Sequence, residues 1–557
     1  MNSRTVSTDS NTPVSTLGWD TAYVVPFSVV NKAIIAQKSY PTAFHYEDVT
    51  DIAISGIWTS WQLIPGGAGG NVQMVCLVES GTATGAGQHG DLAGSQIVIQ
   101  VSLKQVAATD PLNDKTASGI GTAQNLVVNT RGKGLDPAVS VISSCYPNVD
   151  SVLLKDLLNS VFKNYFNAHI SEFNHVFAVM NINEVADKND FQWVKPTSFQ
   201  YAVASPENGD IDKCAFGLIA MVQNHPISPD AQQTVDARAL YDLPNGANSA
   251  FVISQEMVAH HLLLRGAVAV IQGSTSDDFD FGKDGIYVTN NKKLTWGNFQ
   301  TKNGIISPTI EAHNFVLRAE DDNIYVEINN AEYEVSFGIT AHMNMTQRFT
   351  YNTVRNSEGK YVFVPDIKGL GNPKITANVT LSNFLVNFQI VMSAIGLIAG
   401  IVCAASGFKA FDKLMSKVSV NVVTGEAANT AEISLSEEAF EEMLADDQEA
   451  TEEESLAGAE ATDAGAADAD NVGQICGAVA SSQFRLATGL VAAVAGGIAG
   501  YIPMAQMIAN KDYNKIPAFD DFAAHCLKAT AWPGLKEYTL IGARFRTSLV
   551  MALALDD

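Results

Sequence analysis

Few residue groups in this sequence have the types and spacing to do chemistry. Gly85, Ala86, Gly87, Gln88, His89 and Gly90 fit the pattern GxGxxG. That pattern holds a dinucleotide pyrophosphate only where a strand precedes it and a helix follows. Strand-like residues follow here, so the stretch reads as a loop joining strands. His260 and His261 sit in a helical pattern, with Glu256 one turn before His260. A metal site there would need further His, Asp or Cys ligands, and the sequence does not indicate where they would come from. The pair reads as a helix-surface or interface pair. His169, His175 and His342 are isolated, the first two at or beyond a helix end. Cys145 would act as a nucleophile only beside a base, and none is identifiable, so a buried thiol is the plain reading. No GxxxxGK[ST], GxSxG or HExxH occurs. The sequence therefore assigns no catalytic residue, no metal ligand and no cofactor.

The elements that would position any site are mostly strands. Ile52, Ile54 and Trp58 share one parity, and Ile57, Trp61 and Leu63 the other. A glycine-rich turn at 65–70 follows, then a return strand at 72–78. Residues 81–94 read as a glycine-rich loop. Ile97, Ile99, Val101 and Leu103 alternate with polar residues, as expected of an antiparallel sheet with one apolar face. Further strands are expected at 199–203, 215–222, 315–319, 324–328 and in one long run over 333–343, and the last between 535 and 555. Helical spacing appears at 25–37, at 254–270 and most clearly at 150–170. There Leu153, Leu154, Leu157, Leu158, Val161, Phe162, Tyr165 and Phe166 form a wide stripe that must be buried against something. Asp150 or Ser151 would cap that helix.

Charge is concentrated in one place. The chain has 557 residues, is 46% apolar and carries a formal charge of −25. Sixteen acidic residues and no Lys or Arg fall between positions 421 and 470. A chain this acidic lacks the cations that nucleic acid binding requires. Six widely spaced cysteines argue for thiols rather than a disulfide scaffold. The first 16 residues read as a flexible tail and not as a signal peptide, which suits a cytoplasmic protein or one released by another route.

Two segments, 384–408 and 486–508, carry no charge, and each contains Gly-x-x-x-Gly, at Gly396/Gly400 and Gly496/Gly500. Each is long enough to span a bilayer core of about 30 Å, and the small residues would let two helices approach closely. Asn387, Gln389 and Pro503 moderate their hydropathy, so a helical hairpin buried in a water-soluble protein and a membrane-inserting hairpin both stand as readings.

Several runs near the N-terminus resemble a known family: Gly18-Trp19-Asp20-Thr21, Val30-Asn31-Lys32-Ala33-Ile34, Phe44-His45-Tyr46-Glu47-Asp48 and Gly56-Ile57-Trp58-Thr59-Ser60-Trp61-Gln62-Leu63. Their order is similar to that in the OrfX-type proteins and their forty-seven-kilodalton relative, encoded beside clostridial botulinum-like toxins. Ala531-Trp532-Pro533 also looks like the end of that family. The resemblance implies an α+β, tubular lipid-binding (TULIP) fold, with long helices wrapped by a curved antiparallel sheet; to this the sequence adds a C-terminal apolar hairpin. The expected organisation is a tail at 1–16, TULIP-like regions at 17–205 and 206–383, an apolar helix at 384–415, an acidic insert at 421–470, a second apolar helix at 475–510, and C-terminal strands at 511–557 returning to the sheet.

The resemblance implies a lipid or other apolar ligand, and partner proteins from the same gene cluster. Leu154, Leu157, Leu158, Val161, Phe162 and Phe166 are the candidate lining on the helix, with Trp58 and Trp61 on the sheet. Ordinary core packing explains the same residues. A membrane-inserting or scaffold protein using the two apolar segments is the rival reading, and an enzyme with an unrecognised site the third.

Overall fold

Alternating and bulged strands dominate the chain. The computed structural model describes residues 12–48, 51–85, 87–107, 123–128, 137–175, 179–181, 192–194, 196–206, 209–271, 273–297, 299–301, 304–320, 322–336, 339–365, 374–378, 419–425, 428–434, 530–531 and 537–556. They fall into two units: 1–254 with 523–544 and 548–557, and 255–522 with 545–547. The expected boundary at 205/206 falls inside the first unit, where the strands Pro196–Ala204 and Ala215–Val222 are hydrogen-bonded neighbours.

The first unit holds two sheets. The six-stranded one runs in the order Pro196–Ala204, Ala215–Val222, Thr21–Pro26, Ser249–Ile253, Ser548–Asp556, Glu537–Arg546. Thr21–Pro26, Ala215–Val222 and Ser249–Ile253 are buried at every position. Both faces of this sheet are covered, which is why these strands read as continuous apolar runs and not as alternation. One face carries Val14, Trp19, Ala22, Val24, Ala250 and Val252; the other carries Tyr23 against Phe251, with ring centroids 6.4 Å apart.

The nine-stranded sheet runs Ala43–Glu47, Ala53–Ala68, Asn71–Gly85, Gln96–Ala107, Ala123–Val128, Val179–Asn181, Thr530–Ala531. Gln88–Asp91 pairs with Asn71–Gly85, and Val139–Cys145 with Gln96–Ala107. The expected loop at 81–94 is therefore largely strand. Gly81 lies under the Ser55 carbonyl, where a Cβ would come to 2.6 Å, so glycine there is a packing requirement inside a strand and not a turn signal.

Two helices pack on this frame. Helix α1, Phe27–Gln37, ends where Lys38 turns left-handed (φ 47°) and its N–H reaches Ile34 and Ile35 carbonyls. Helix α2, Val152–Ala168, starts at Ser151, whose hydroxyl accepts from the Leu154 N–H at 3.3 Å. At 17 residues α2 is the longest helix among the described residues. None of the described helices is long and apolar enough to cross a membrane.

The turn at 65–70 also ties the two sheets of the first unit. Val203 N–H donates to the Gly69 carbonyl at 2.8 Å, and Gly66 N–H to the Ser205 hydroxyl at 3.1 Å. A Cβ on Gly67 would lie 2.6 Å from the Asn71 carbonyl oxygen and 3.2 Å from a Val203 methyl. Backbone cannot yield as a side chain can, so Gly67→Val is expected to cost about 1–3 kcal/mol, read as a lowered denaturant midpoint with an unchanged slope.

The second unit is built on an eleven-stranded sheet. Its main order is Phe279–Phe281, Tyr287–Asn290, Phe315–Glu320, Asn323–Ser336, Ile339–Arg355, Lys374–Asn378, Ala428–Ser434, Ser419–Gly425. The expected single strand over 333–343 is instead the closed end of a hairpin, with Ser336 opposite Ile339. The sequence alternates unbroken from Tyr333 to Met343, so parity alone hid the reversal. The expected helix at 254–270 forms as Gln255–Val258 and Leu264–Val270, joined by a π-turn at Ala259–Leu263. The start of the acidic segment lies in the paired strands Ser419–Gly425 and Ala428–Ser434. Its remainder beyond Ser434, the apolar segments 384–408 and 486–508, and Gly396, Gly400, Gly496 and Gly500 lie outside the described residues.

Candidate functional site

The candidate lining residues meet between α2 and the nine-stranded sheet. Sequence parity sets Trp58 and Trp61 on opposite faces of one strand, yet both are buried, at 3% and 1% exposure. The reason is local. Trp58 pairs with Val78, Ser60 with Leu77 and Trp61 with Cys76, so the register shifts between Trp58 and Ser60. A bulge inserts one residue and moves the following positions to the other face. Ile54, Trp58, Trp61 and Leu63 thus all turn inward, while Ile57 is left exposed.

From the helix come Leu154, Leu158, Val161, Phe162, Tyr165 and Phe166, all buried, with Leu157 half-buried. The rings form a connected group. Phe166 stacks on Trp58 at 5.9 Å and meets Trp61 edge-on at 5.6 Å. Phe44 lies 4.5 Å from Trp58 and 5.8 Å from Phe162. Phe173, from the short turn after α2, lies 4.8 Å from Trp61. Tyr146 stacks on Phe162 at 6.1 Å. Offset and edge contacts of this kind add about 0.5–1.5 kcal/mol per pair beyond area burial.

Sequence reasoning missed Phe44, Tyr146 and Phe173. Phe44 stands in a five-residue strand and Phe173 in a six-residue 3-10 helix, too short for a period to show. Cys76 is buried beneath the group, and burial pushes its thiol up.

Polar atoms are few here. The Trp61 indole N–H is buried without a hydrogen-bond partner. Burial raises the Tyr165 hydroxyl above the ordinary phenol range, and that hydroxyl donates to Glu172 at 3.4 Å. Glu172 in turn meets His169 Nδ1 at 3.1 Å. At the other end of α2 one flank of the apolar stripe is open: Leu153 is 57% exposed, and the neighbouring Val152, outside the stripe, 72%, while Leu154 is buried. The arrangement can bury apolar matter and carries few polar atoms, chiefly the indole N–H groups of Trp58 and Trp61.

The other candidates fall elsewhere. Gly85 pairs with Gln88 at a hairpin end, with strands on both sides, so the helix that a dinucleotide loop needs is not there. The His260 ring stacks on Phe281 at 3.6 Å, almost parallel. Among the described residues no three His, Cys, Asp or Glu side chains are grouped to hold a metal. Cys145, expected buried, is exposed at a strand end.

The most informative side chain outside the aromatic group is Asn31 of α1. Its Nδ2 donates to the Leu63 carbonyl at 2.9 Å, and its Oδ1 accepts from the Leu63 N–H at 2.7 Å. Ala43–Glu47 covers the Ala53–Ala68 strand only as far as Ile57. Asn31 supplies at Leu63 the pair of bonds a neighbouring strand would make, and so fixes α1 beside Trp61.

The family description "OrfX-like: Protein OrfX2/OrfX3/P47" matches residues 16–453. Protein OrfX3 of Paraclostridium bifermentans is 27% identical over 460 residues, 76% of this chain and 89% of that protein. Protein OrfX3 of Clostridium botulinum (strain Kyoto / Type A2) is 28% identical over 287 residues, 48% of this chain and 57% of that protein. The structure of P47 from Clostridium botulinum A2 superposes with a TM-score of 0.51 at 17% identity, covering 76% of this chain and 98% of that one. That likeness is one of fold, and it agrees with the predominance of antiparallel sheet. The matched span takes in both sheets of the first unit except their C-terminal strands Thr530–Ala531, Glu537–Arg546 and Ser548–Asp556, together with the hairpins of the second unit, and this chain belongs to the OrfX-like family.

Proposed function

We propose that the protein is a non-enzymatic accessory protein of a bacterial toxin system, and that its first unit binds a lipid or another apolar ligand between α2 and the nine-stranded sheet. This is the tubular lipid-binding reading of the fold, and it extends to protein partners encoded in the same cluster. The supporting observation is the course of the α2 stripe. One flank of it is exposed at Leu153 and half-covered at Leu157, beside Leu154 and Leu158, which are fully buried, and it continues into the aromatic group around Phe162 and Phe166. Uncovered apolar surface that leads into an apolar interior is where an acyl chain would enter. Burial contributes about 0.8 kcal/mol per methylene. A chain of about ten methylenes would therefore offset a large part of the roughly 4–15 kcal/mol that association costs.

The test is native mass spectrometry and lipid extraction of the purified chain, with uptake of a fluorescent fatty acid. Leu153→Glu is expected to reduce uptake severalfold while changing stability by less than about 0.5 kcal/mol, because Leu153 is exposed. No co-purified lipid and no uptake by the unsubstituted protein would overturn the reading.

A further inference from the structure

We infer that the strand Ala43–Glu47 is an interaction edge, built to pair antiparallel with the same strand of a second copy of the chain. The strand ends the nine-stranded sheet, and among the described residues its one partner is Ala53–Ala68. The Thr42 carbonyl accepts from Trp58 N–H at 3.0 Å, and Asp48 N–H donates to the Ile52 carbonyl at 2.8 Å. In an antiparallel ladder alternate residues bond to the same side. Thr42, Phe44, Tyr46 and Asp48 therefore bond inward, and Ala43, His45 and Glu47 turn their N–H and C=O groups to the open edge. The side chains of those three residues are exposed on the outer face, while Phe44 is buried and Tyr46 half-buried on the inner one.

Edge strands are commonly protected by shortness, by charge, by proline or by a bulge. This strand is short and charged, but among its five residues there is no proline, and its ladder with Ala53–Ala68 is unbroken. The charges themselves favour one pairing. Edge hydrogen bonds require odd positions to face odd positions across the seam. If His45 faces its own copy, Glu47 faces Ala43 and two imidazoles meet. If Glu47 faces its own copy, two carboxylates meet, which is destabilising. In the register between these, centred on Tyr46, each His45 faces the other copy's Glu47, and the imidazole donates to the carboxylate on both sides of the twofold axis. The two Tyr46 rings then meet on the inner face, at the close, non-hydrogen-bonded pair of the ladder. One register satisfies every position of a self-complementary seam.

Five residues a side make a small interface, so the dimer is expected to be weak, with Kd on the order of 10–100 µM. Sedimentation equilibrium of the full chain, from about 1 to 300 µM, should show a concentration-dependent dimer. Glu47→Lys should weaken it about tenfold. The exchanged pair, His45→Glu with Glu47→Lys, should restore it to within about threefold. His45→Pro removes an N–H that the sheet itself does not use, a substitution edge strands tolerate, and should abolish the dimer while the circular dichroism spectrum is kept. A monomer at every concentration overturns the inference. So does a dimer indifferent to Glu47→Lys and His45→Pro, or one that the exchanged pair fails to restore.

Discussion

Replacing Asn31 by leucine is expected to destabilise the first unit by about 2–5 kcal/mol, although the two side chains are close in size. The bonds lost are the 2.9 Å and 2.7 Å contacts with Leu63. What remains is a backbone N–H and a carbonyl at a fully buried residue, each costing about 1–3 kcal/mol when left unpaired. Asn31→Asp keeps an acceptor for the Leu63 N–H but turns a second oxygen toward the Leu63 carbonyl. It should cost at least as much, because it adds repulsion and a buried charge. Denaturant unfolding followed by tryptophan fluorescence measures both. A loss below about 1 kcal/mol would mean that water or a small helix shift re-satisfies Leu63.

The same device recurs, which allows an internal comparison. Asn248 exchanges bonds with Leu555 at 3.0 and 2.8 Å, and Asn167 with Val139 at 2.7 and 3.2 Å. Each asparagine stands in for one residue of a neighbouring strand. Asn31 is buried, whereas Asn248 and Asn167 are half-buried, so water can take over part of what those two supply. Leucine substitutions should accordingly cost most at Asn31.

These asparagines mark the limit of what the sequence discloses. Helix α2 was legible because its stripe repeats over nearly five turns, long enough for the 3.6-residue period to stand out. The six-stranded sheet was legible strand by strand, but its order was not, since Ser249–Ile253 pairs with Ser548–Asp556 across some three hundred residues. Trp58 and Trp61 were legible as sheet residues, and the bulge that turns both inward was not. A bulge changes register without changing composition. Asn31 stood within a recognised run, yet one asparagine on a helix carries no sign of the strand it will close. Pattern discloses elements; it does not disclose the single polar contacts that lock them together.

Truncating Phe166 to alanine is expected to have the largest effect of any single change in the aromatic group, about 3–5 kcal/mol. Phe166 is fully buried and is the ring on which the group converges, touching Trp58, Trp61, Phe162, Tyr165 and Phe173. Removing it takes away transfer energy and leaves a cavity that its rigid neighbours cannot fill. Phe166→Leu should cost less, about 1–2 kcal/mol, because most of the volume remains. The cavity in Phe166→Ala is apolar and should stay dry, so saturating benzene or indole should recover part of the loss. The same variant bears on the proposed function. If an acyl chain lies along α2, it meets the wall that Phe166 forms, and fatty acid uptake should fall when measured well below the unfolding midpoint. Reduced stability with unchanged uptake would leave the aromatic group as core alone. The entry point would then have to be sought beyond α2, because Leu153 and Phe166 belong to one stripe and a ligand following that stripe must respond to both.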